Sequence, residues 1–352
     1  MLVAAPLVSQ DTLRVTARVG TGPLTGRVTG GINGQAIPFA LLSLDRPRLD
    51  FFGTEQGRFT LPALSRGEHR LLVRQLGYSP LLVLLIVSED AASTVDLVLE
   101  PRALVLPTLV ATACAPVDAL DPEVRAVLNA AAENARRLDL IQRDYPYAGR
   151  YVQVREVYGR DGTLLSRTPS RQELRFWEQS SYKPGRAIVP GRGSNVDVAY
   201  FSATALLSEN FRKTHCFRFG GADSAEGRPS LTLEFEPLAS LKGADWEGEL
   251  TLDDRGVLRR SEARLVVRNP KENWPVAAIC QVHYEAVGGS LPIESLLECR
   301  VRMGEPYVSE AVEEWRLECQ RFTKKVPGVE TGLLPDSTGA WRGRLCSTVR
   351  VR

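Results

Sequence analysis

The sequence has little of what most metal and phosphate chemistry depends on. Its histidines are three, His69, His215 and His283, and only six of its 44 basic residues are lysine. No two cysteines are spaced C-x-x-C, so a zinc site would have to gather scattered thiolates. Long hydrophobic runs are missing too: the longest, Leu81 to Val87, falls far short of the roughly 18 residues that cross a bilayer. Net charge is only +2, which leaves no basic field for phosphate backbones, so nucleic acid is not an expected partner. There is no Gly-x-Ser-x-Gly elbow, no phosphate-cradling loop and no dinucleotide fingerprint, and the glycines at Gly191 and Gly193 read as a flexible loop.

What is present is the composition of a folded chain, 43% hydrophobic and 24% charged. At 352 residues it exceeds the usual size of one hydrophobic core, so two domains are expected. Met1 to Gln10 is apolar and rich in small residues, ending at Leu7, Val8 and Ser9 like the tail of a secretory signal whose basic start lies upstream. An N-terminal strand or a disordered tail is the alternative. Six cysteines, Cys114, Cys216, Cys280, Cys299, Cys319 and Cys346, form an even set, and export would permit disulfides. Their connectivity is not legible, and buried free thiols fit the sequence as well as bridges do.

From Leu13 to Leu99 short β-prone runs alternate with turn residues, and no helical period is sustained. The predicted strands are Leu24 to Thr29, Ile37 to Leu44, Gly57 to Leu61, His69 to Gln75, Leu81 to Ser88 and Thr94 to Leu99. Gly26, Arg27, Val28 and Thr29, then Gly34 to Leu44, Gly57 to Leu61, Gly67 to Val73 and the pair Gly77 and Tyr78, resemble in order and spacing the carboxypeptidase regulatory-like domain, a transthyretin-like sandwich. Leu106 to Ala113 is similar to that family's exit strand. The resemblance implies that the Gly-aromatic hairpin and the Gly-Tyr pair are framework positions.

Past a linker holding Pro116, Asp121 is placed to cap a helix opened by Pro122 and Glu123. Val124, Val127, Leu128, Ala131, Leu138 and Ile141 recur at three- and four-residue steps, predicting an amphipathic helix that ends near Tyr145 and Pro146. β character then returns, with a hairpin around Asp161 and Gly162 joining Gly149 to Tyr158 with Thr163 to Arg167. Further predicted strands are Glu173 to Gln179, Cys216 to Gly220, Ser230 to Glu236, Trp246 to Leu252, Val257 to Arg268, Ala277 to Ala286, Ile293 to Met303 and Ala311 to Phe322. A short helix is expected over Ser202 to Lys213. Asn134 to Tyr151, His215 to Phe217, Phe235 to Pro237 and Gly248 to Asp253 loosely resemble the half-barrel of the lipoprotein-localisation carriers of bacterial envelopes. The expectation is therefore a mainly β chain: a possible signal remnant or tail at 1–12, a small β-sandwich at 13–113, a linker at 114–120, a curved antiparallel half-barrel with one long helix at 121–325 and a tail at 326–352.

Catalytic residues do not emerge. The metallocarboxypeptidases need a His and a Glu three residues apart, but His69, His215 and His283 are followed at that offset by Leu72, Arg218 and Ala286. His215 and Cys216, as strand neighbours, point to opposite faces and cannot form a dyad, and Cys216 reads as a core or disulfide cysteine. A reach from His283 to Cys216 is disfavoured. Asp253 and Asp254 fit a turn better than a calcium site. Trp177, Tyr182, Trp246, Trp274, Trp315 and Trp341 read as core in preference to a sugar platform. No cofactor, metal or catalytic site is expected. The expectation is a non-catalytic, exported protein of the periplasm or cell envelope, acting as a scaffold or interaction module for an envelope protein. The alternatives are a carbohydrate-binding sandwich and a carrier of an apolar, lipid-like ligand. The sandwich offers few aromatics for glycans, namely Phe39, Phe51, Phe52, Phe59 and Tyr78.

Overall fold

The computed structural model of the chain describes residues 12–89, 91–102, 113–144, 147–175, 182–190, 196–225, 228–268, 274–287, 291–304 and 310–322. It is mainly β, as expected, and divides into two units. The described part of the first lies within Met1–Ala103, and that of the second within Leu104–Val287 and Leu291–Thr323. The expected signal remnant, the exit strand Leu106 to Ala113 apart from its last residue, and the C-terminal tail fall outside the described residues.

The first unit is a sandwich of two sheets. Its strands are β1 (Leu13–Val19), β2 (Leu24–Gly30), β3 (Leu41–Leu44), β4 (Leu49–Phe52), β5 (Arg58–Leu61), β6 (Gly67–Arg74), β7 (Leu81–Val87) and β8 (Thr94–Leu99). One sheet runs β1-β7-β6-β3-β4 and the other β5-β2-β8, with β1 parallel to β7 and β2 parallel to β8. Period-two alternation drives this packing: in β7 every second residue from Leu81 to Val87 is buried. The inner faces meet in a core that includes Val28, Leu42, Phe51, Phe59, Val73, Val83 and Leu97. Two glycines permit the close approaches. A Cβ on Gly26 would lie 2.4 Å from the Phe59 ring, and one on Gly57, where φ is +73°, would lie 2.5 Å from Val28 O. The strand expected from Ile37 starts only at Leu41, because Pro38 offers no N–H and Phe39 takes a left-handed φ of 52°.

The second unit holds β9 (Ala115–Pro116), α1 (Pro122–Asp144), β10 (Tyr147–Tyr158), β11 (Leu164–Arg175), β12 (Ile188–Pro190), β13 (Val196–Val198), a 3-10 turn (Ala203–Leu207), α2 (Glu209–Thr214), β14 (His215–Ala225), β15 (Arg228–Pro237), β16 (Ala244–Asp253), β17 (Leu258–Val267), β18 (Pro275–Val287), β19 (Leu291–Met303) and β20 (Glu310–Phe322). Its main sheet is antiparallel, curved and not closed into a barrel, in the order β11-β10-β20-β19-β18-β17-β16-β15-β14-β9. The expected meander holds from β14 to β20. The earlier hairpin β10–β11 then joins beyond the last strand, so the chain's order and the sheet's order part there.

The two predicted β11 segments are one continuous strand through Pro169, which pairs with Val154. A proline is tolerated because β11 is the sheet's edge and its missing N–H costs no ladder bond there. α1 starts as read, with the Arg125 N–H donating to Asp121 O at 2.9 Å, and all six of its predicted apolar positions are buried. It lies against the inner face of the sheet, in one core with Phe217, Leu233, Phe235, Leu250, Leu265 and Cys280. The outer face carries cross-strand ion pairs instead, such as Arg218 with Glu234 and Arg260 with Glu249.

Candidate functional site

His215 is the most chemically suggestive residue of the second unit, and it is sealed. Ser208 caps α2 by accepting the Phe211 N–H, and α2 runs straight into β14, which drives the His215 ring into the core. The ring stacks on Phe211 with centroids 3.9 Å apart. Its Nδ1 lies 3.1 Å from Phe211 O and its Nε2 3.1 Å from Trp246 O. The buried carboxylate of Asp245 approaches Nε2 at 3.7 Å. Asp245 accepts from the Tyr182 hydroxyl at 2.6 Å and from the N–H groups of Gly185 and Trp246, both at 2.8 Å. Burial lowers the affinity of His215 for a proton, opposed by the charge of Asp245, while burial and the bond to Asp245 raise the Tyr182 pKa. A His-Asp pair with no solvent exposure on the imidazole has no access for a substrate. It works as a polar key that ties residues 182–185 to β16.

Cys216 faces away from His215 and forms a disulfide with Cys114, fixing β9 to the edge of β14. Its sulfur also lies 3.6 Å from Glu236 Oε1. The two sulfurs and the carboxylate come within 4.8 Å of one another, yet sulfurs bonded to each other are not thiolate ligands, so this trio does not fit a metal centre. Cys280 and Cys299, directly opposed on β18 and β19, form a second disulfide. The Cys319 side chain and Cys346 lie outside the described residues. His283 sits on β18, four ladder steps from Cys216 on β14, which is roughly 19 Å at ordinary strand spacing.

Asp253 behaves as its turn position suggests. One oxygen accepts the N–H groups of Arg255 and Val257, and the other accepts from the Arg259 guanidinium at 2.6 Å. Trp246 is buried, and Trp274 packs against the same core, whereas Trp177 and Trp341 fall outside the described residues. The sequence reading missed the polar residues inside α1. Asn134 donates to Ala130 O and Gly256 O and accepts the Leu258 N–H, clamping the helix to the β16–β17 turn. Arg137, fully buried, lies beside Glu133, and Gln142 is buried one turn and a half further on.

Another part of the inner face has different chemistry. The apolar core under α1 draws on strands β14 to β19. On β20, β10 and β11 the same face continues, by register, through Glu313 and Trp315, Gln153 and Arg155, and Thr168 and Ser170. Glu313 gathers its neighbours: Arg155 Nε at 3.3 Å on one oxygen, and the Tyr200 hydroxyl at 3.3 Å and Trp315 Nε1 at 3.5 Å on the other. Ser170 donates to Gln153 Oε1 at 3.1 Å. Tyr200, which follows β13, keeps 46% of its surface exposed, and Trp315 is partly exposed. Nearby on β19, Glu294 stands opposite Tyr284, and burial pushes its carboxyl up to about 7. This strip of hydroxyl, amide, ion-paired and aromatic groups is the candidate binding surface.

Comparison with known proteins adds little. No family model matches the chain, and no curated protein matches it. Among solved structures, a DUF1329 family protein from Desulfovibrio piger matches with 14% identity and a TM-score of 0.29, covering 56% of this chain and 94% of that one.

Proposed function

We propose that this chain is a non-catalytic protein of the bacterial cell envelope that acts as an interaction or scaffold module. The observation that carries this reading is the filling of the main sheet. A carrier of an apolar ligand needs an unfilled apolar face, but α1 packs its apolar stripe into the core from β14 to β19. The His215–Asp245 pair, buried and fully engaged, favours a structural over a catalytic role. Export is supported by the disulfides Cys114–Cys216 and Cys280–Cys299, which persist in oxidising compartments. The glycine and aromatic pattern around Gly26 and Phe59 fits an accessory domain like the carboxypeptidase regulatory-like one. Against glycan binding by the sandwich, Phe39, Phe51, Phe52 and Phe59 are all buried.

The test is native mass spectrometry of protein secreted to the periplasm of an expression host. The expected result is a mass free of lipid, lowered by at least the four hydrogens lost to two disulfides. A stoichiometric co-purifying lipid would replace this reading with the carrier. A fully reduced mass would remove the support for export.

A further inference from the structure

We propose that the inner-face strip of β20, β10 and β11 is a binding site for a neutral saccharide. The inference deepens the interaction-module reading by naming a ligand class, and it rests on that reading. Two aromatic side chains from separate elements, Trp315 on β20 and Tyr200 after β13, are held by their polar tips on one oxygen of Glu313. Such anchoring fixes ring orientation while leaving ring surface exposed, which lowers the entropy lost when a ligand stacks on it. Arg155 cancels the charge of Glu313, so the strip has no net field to attract an anion or a cation. Beside that pair stand the amide of Gln153 and the hydroxyls of Ser170 and Thr168, side chains that exchange hydrogen bonds with hydroxyl groups.

The rest of the sheet makes the contrast. Under α1 the same face is apolar and covered. On the outer face of these strands and of the adjoining β19, Arg171 pairs with Glu318, Arg167 with Glu156 and Arg300 of β19 with Glu310, an arrangement that suits contact with water alone. Among the described residues, an apolar ligand would find only Ala311 and Val157 beside the rings on the strip, since Tyr151 and Leu317 on the same face are buried, and a charged one no compensating excess. A pyranose offers what the strip can use, a C–H face for the rings and hydroxyls for the polar row.

The experiment titrates the full chain with neutral hexasaccharides, one of glucose and one of N-acetylglucosamine, by calorimetry and tryptophan fluorescence. The expected result is saturable binding of at least one of them, with a dissociation constant below about 1 mM. Trp315→Ala weakens it by about tenfold or more, as loss of a central aromatic anchor does. Tyr200→Ala, at an exposed position that folding tolerates, weakens it several-fold, and the outer-face change Arg300→Ala leaves it unaltered. No saturable binding to either sugar, binding indifferent to both aromatic substitutions, or preference for a polyanionic hexasaccharide would each overturn the proposal. A lipid-free native mass alongside failed sugar binding would sink this site and spare the interaction-module reading. A bound lipid would sink the latter.

Discussion

Among the described residues, the sandwich buries only His69 and Gln75 as polar side chains, whereas the second unit buries Asn134, Arg137, Gln142, His215, Ser230, Asp245, Asp253, Ser261 and Ser295. The difference follows from how each core is closed. Two sheets facing each other interdigitate alternating side chains and need polar groups only at loops, where His69 spans Arg46 O and Ser65 O at 2.7 and 2.8 Å. A single curved sheet must instead be covered by a helix and by irregular chain. Their backbone groups come into the interior with them and must be matched there. Asn134 matches the β16–β17 turn, and Asp245 matches the segment around Gly185. Disulfides follow the same division: residues 1–103 contain no cysteine, and both bridges among the described residues lie in the second unit.

The comparison is tested most strongly by removing the bridges. Cys114–Cys216 closes a separation of 102 residues and Cys280–Cys299 one of 19. On the chain-entropy view their loss costs about 5 and about 3 kcal/mol respectively. Hydrogen exchange after reduction is expected to lose protection across β14 to β19 and to keep it in β6 and β7. Equal loss in both units would break the contrast.

A smaller effect is expected of Asp245→Ala, which strands the Tyr182 hydroxyl and two backbone N–H groups and costs about 3 kcal/mol. Gln75→Ala in the sandwich, which removes the bond to Pro38 O, costs about 1 kcal/mol. Chemical denaturation of the two variants checks the ordering, and similar losses would mean that polar keys matter alike in both units.

The smallest effect concerns Glu294. Burial raises its carboxyl to about 7 from an ordinary value of 4.5, so the folded state holds the proton more tightly than the unfolded one. Its protonated form is therefore tolerated at low pH, and the cost of ionising it grows as pH rises from about 4.5 and is complete above about 7. Glu294→Gln is expected to stabilise the protein by about 1–2 kcal/mol at pH 8 and by little at pH 4.5. Melting curves at the two pH values read this directly, and a gain of equal size at both would show that charge burial is not the cause.

Much of the local structure was legible because it depends on neighbours in sequence. Asp121 and Pro122 open α1, and its six apolar positions all face the core. The turns at Asp161 and Gly162 and at Asp253 to Gly256 fall where glycine supplies a positive φ. Five strands escaped the reading, β1, β4, β9, β12 and β13. Four of them are short, β4 with four residues, β12 and β13 with three each and β9 with two, while β1 does alternate apolar with polar residues but is an edge strand left largely exposed. The candidate strip was not legible at all: Trp315 resembled core, and nothing in the sequence ties Tyr200 to Glu313 across 113 positions.

By itself, then, the sequence determined the β character, the amphipathic helix, the turn positions and the glycines that permit close approaches in the sandwich. All of these follow from steric limits and periodicity within a few residues. The tertiary structure alone decided that the β10–β11 hairpin closes onto β20, that Cys216 finds Cys114 and Cys280 finds Cys299, and that Glu313 draws Arg155, Trp315 and Tyr200 together. Alternation tells which face of a strand is buried and not which strand lies beside it, and that choice rests on contacts between residues far apart in the chain.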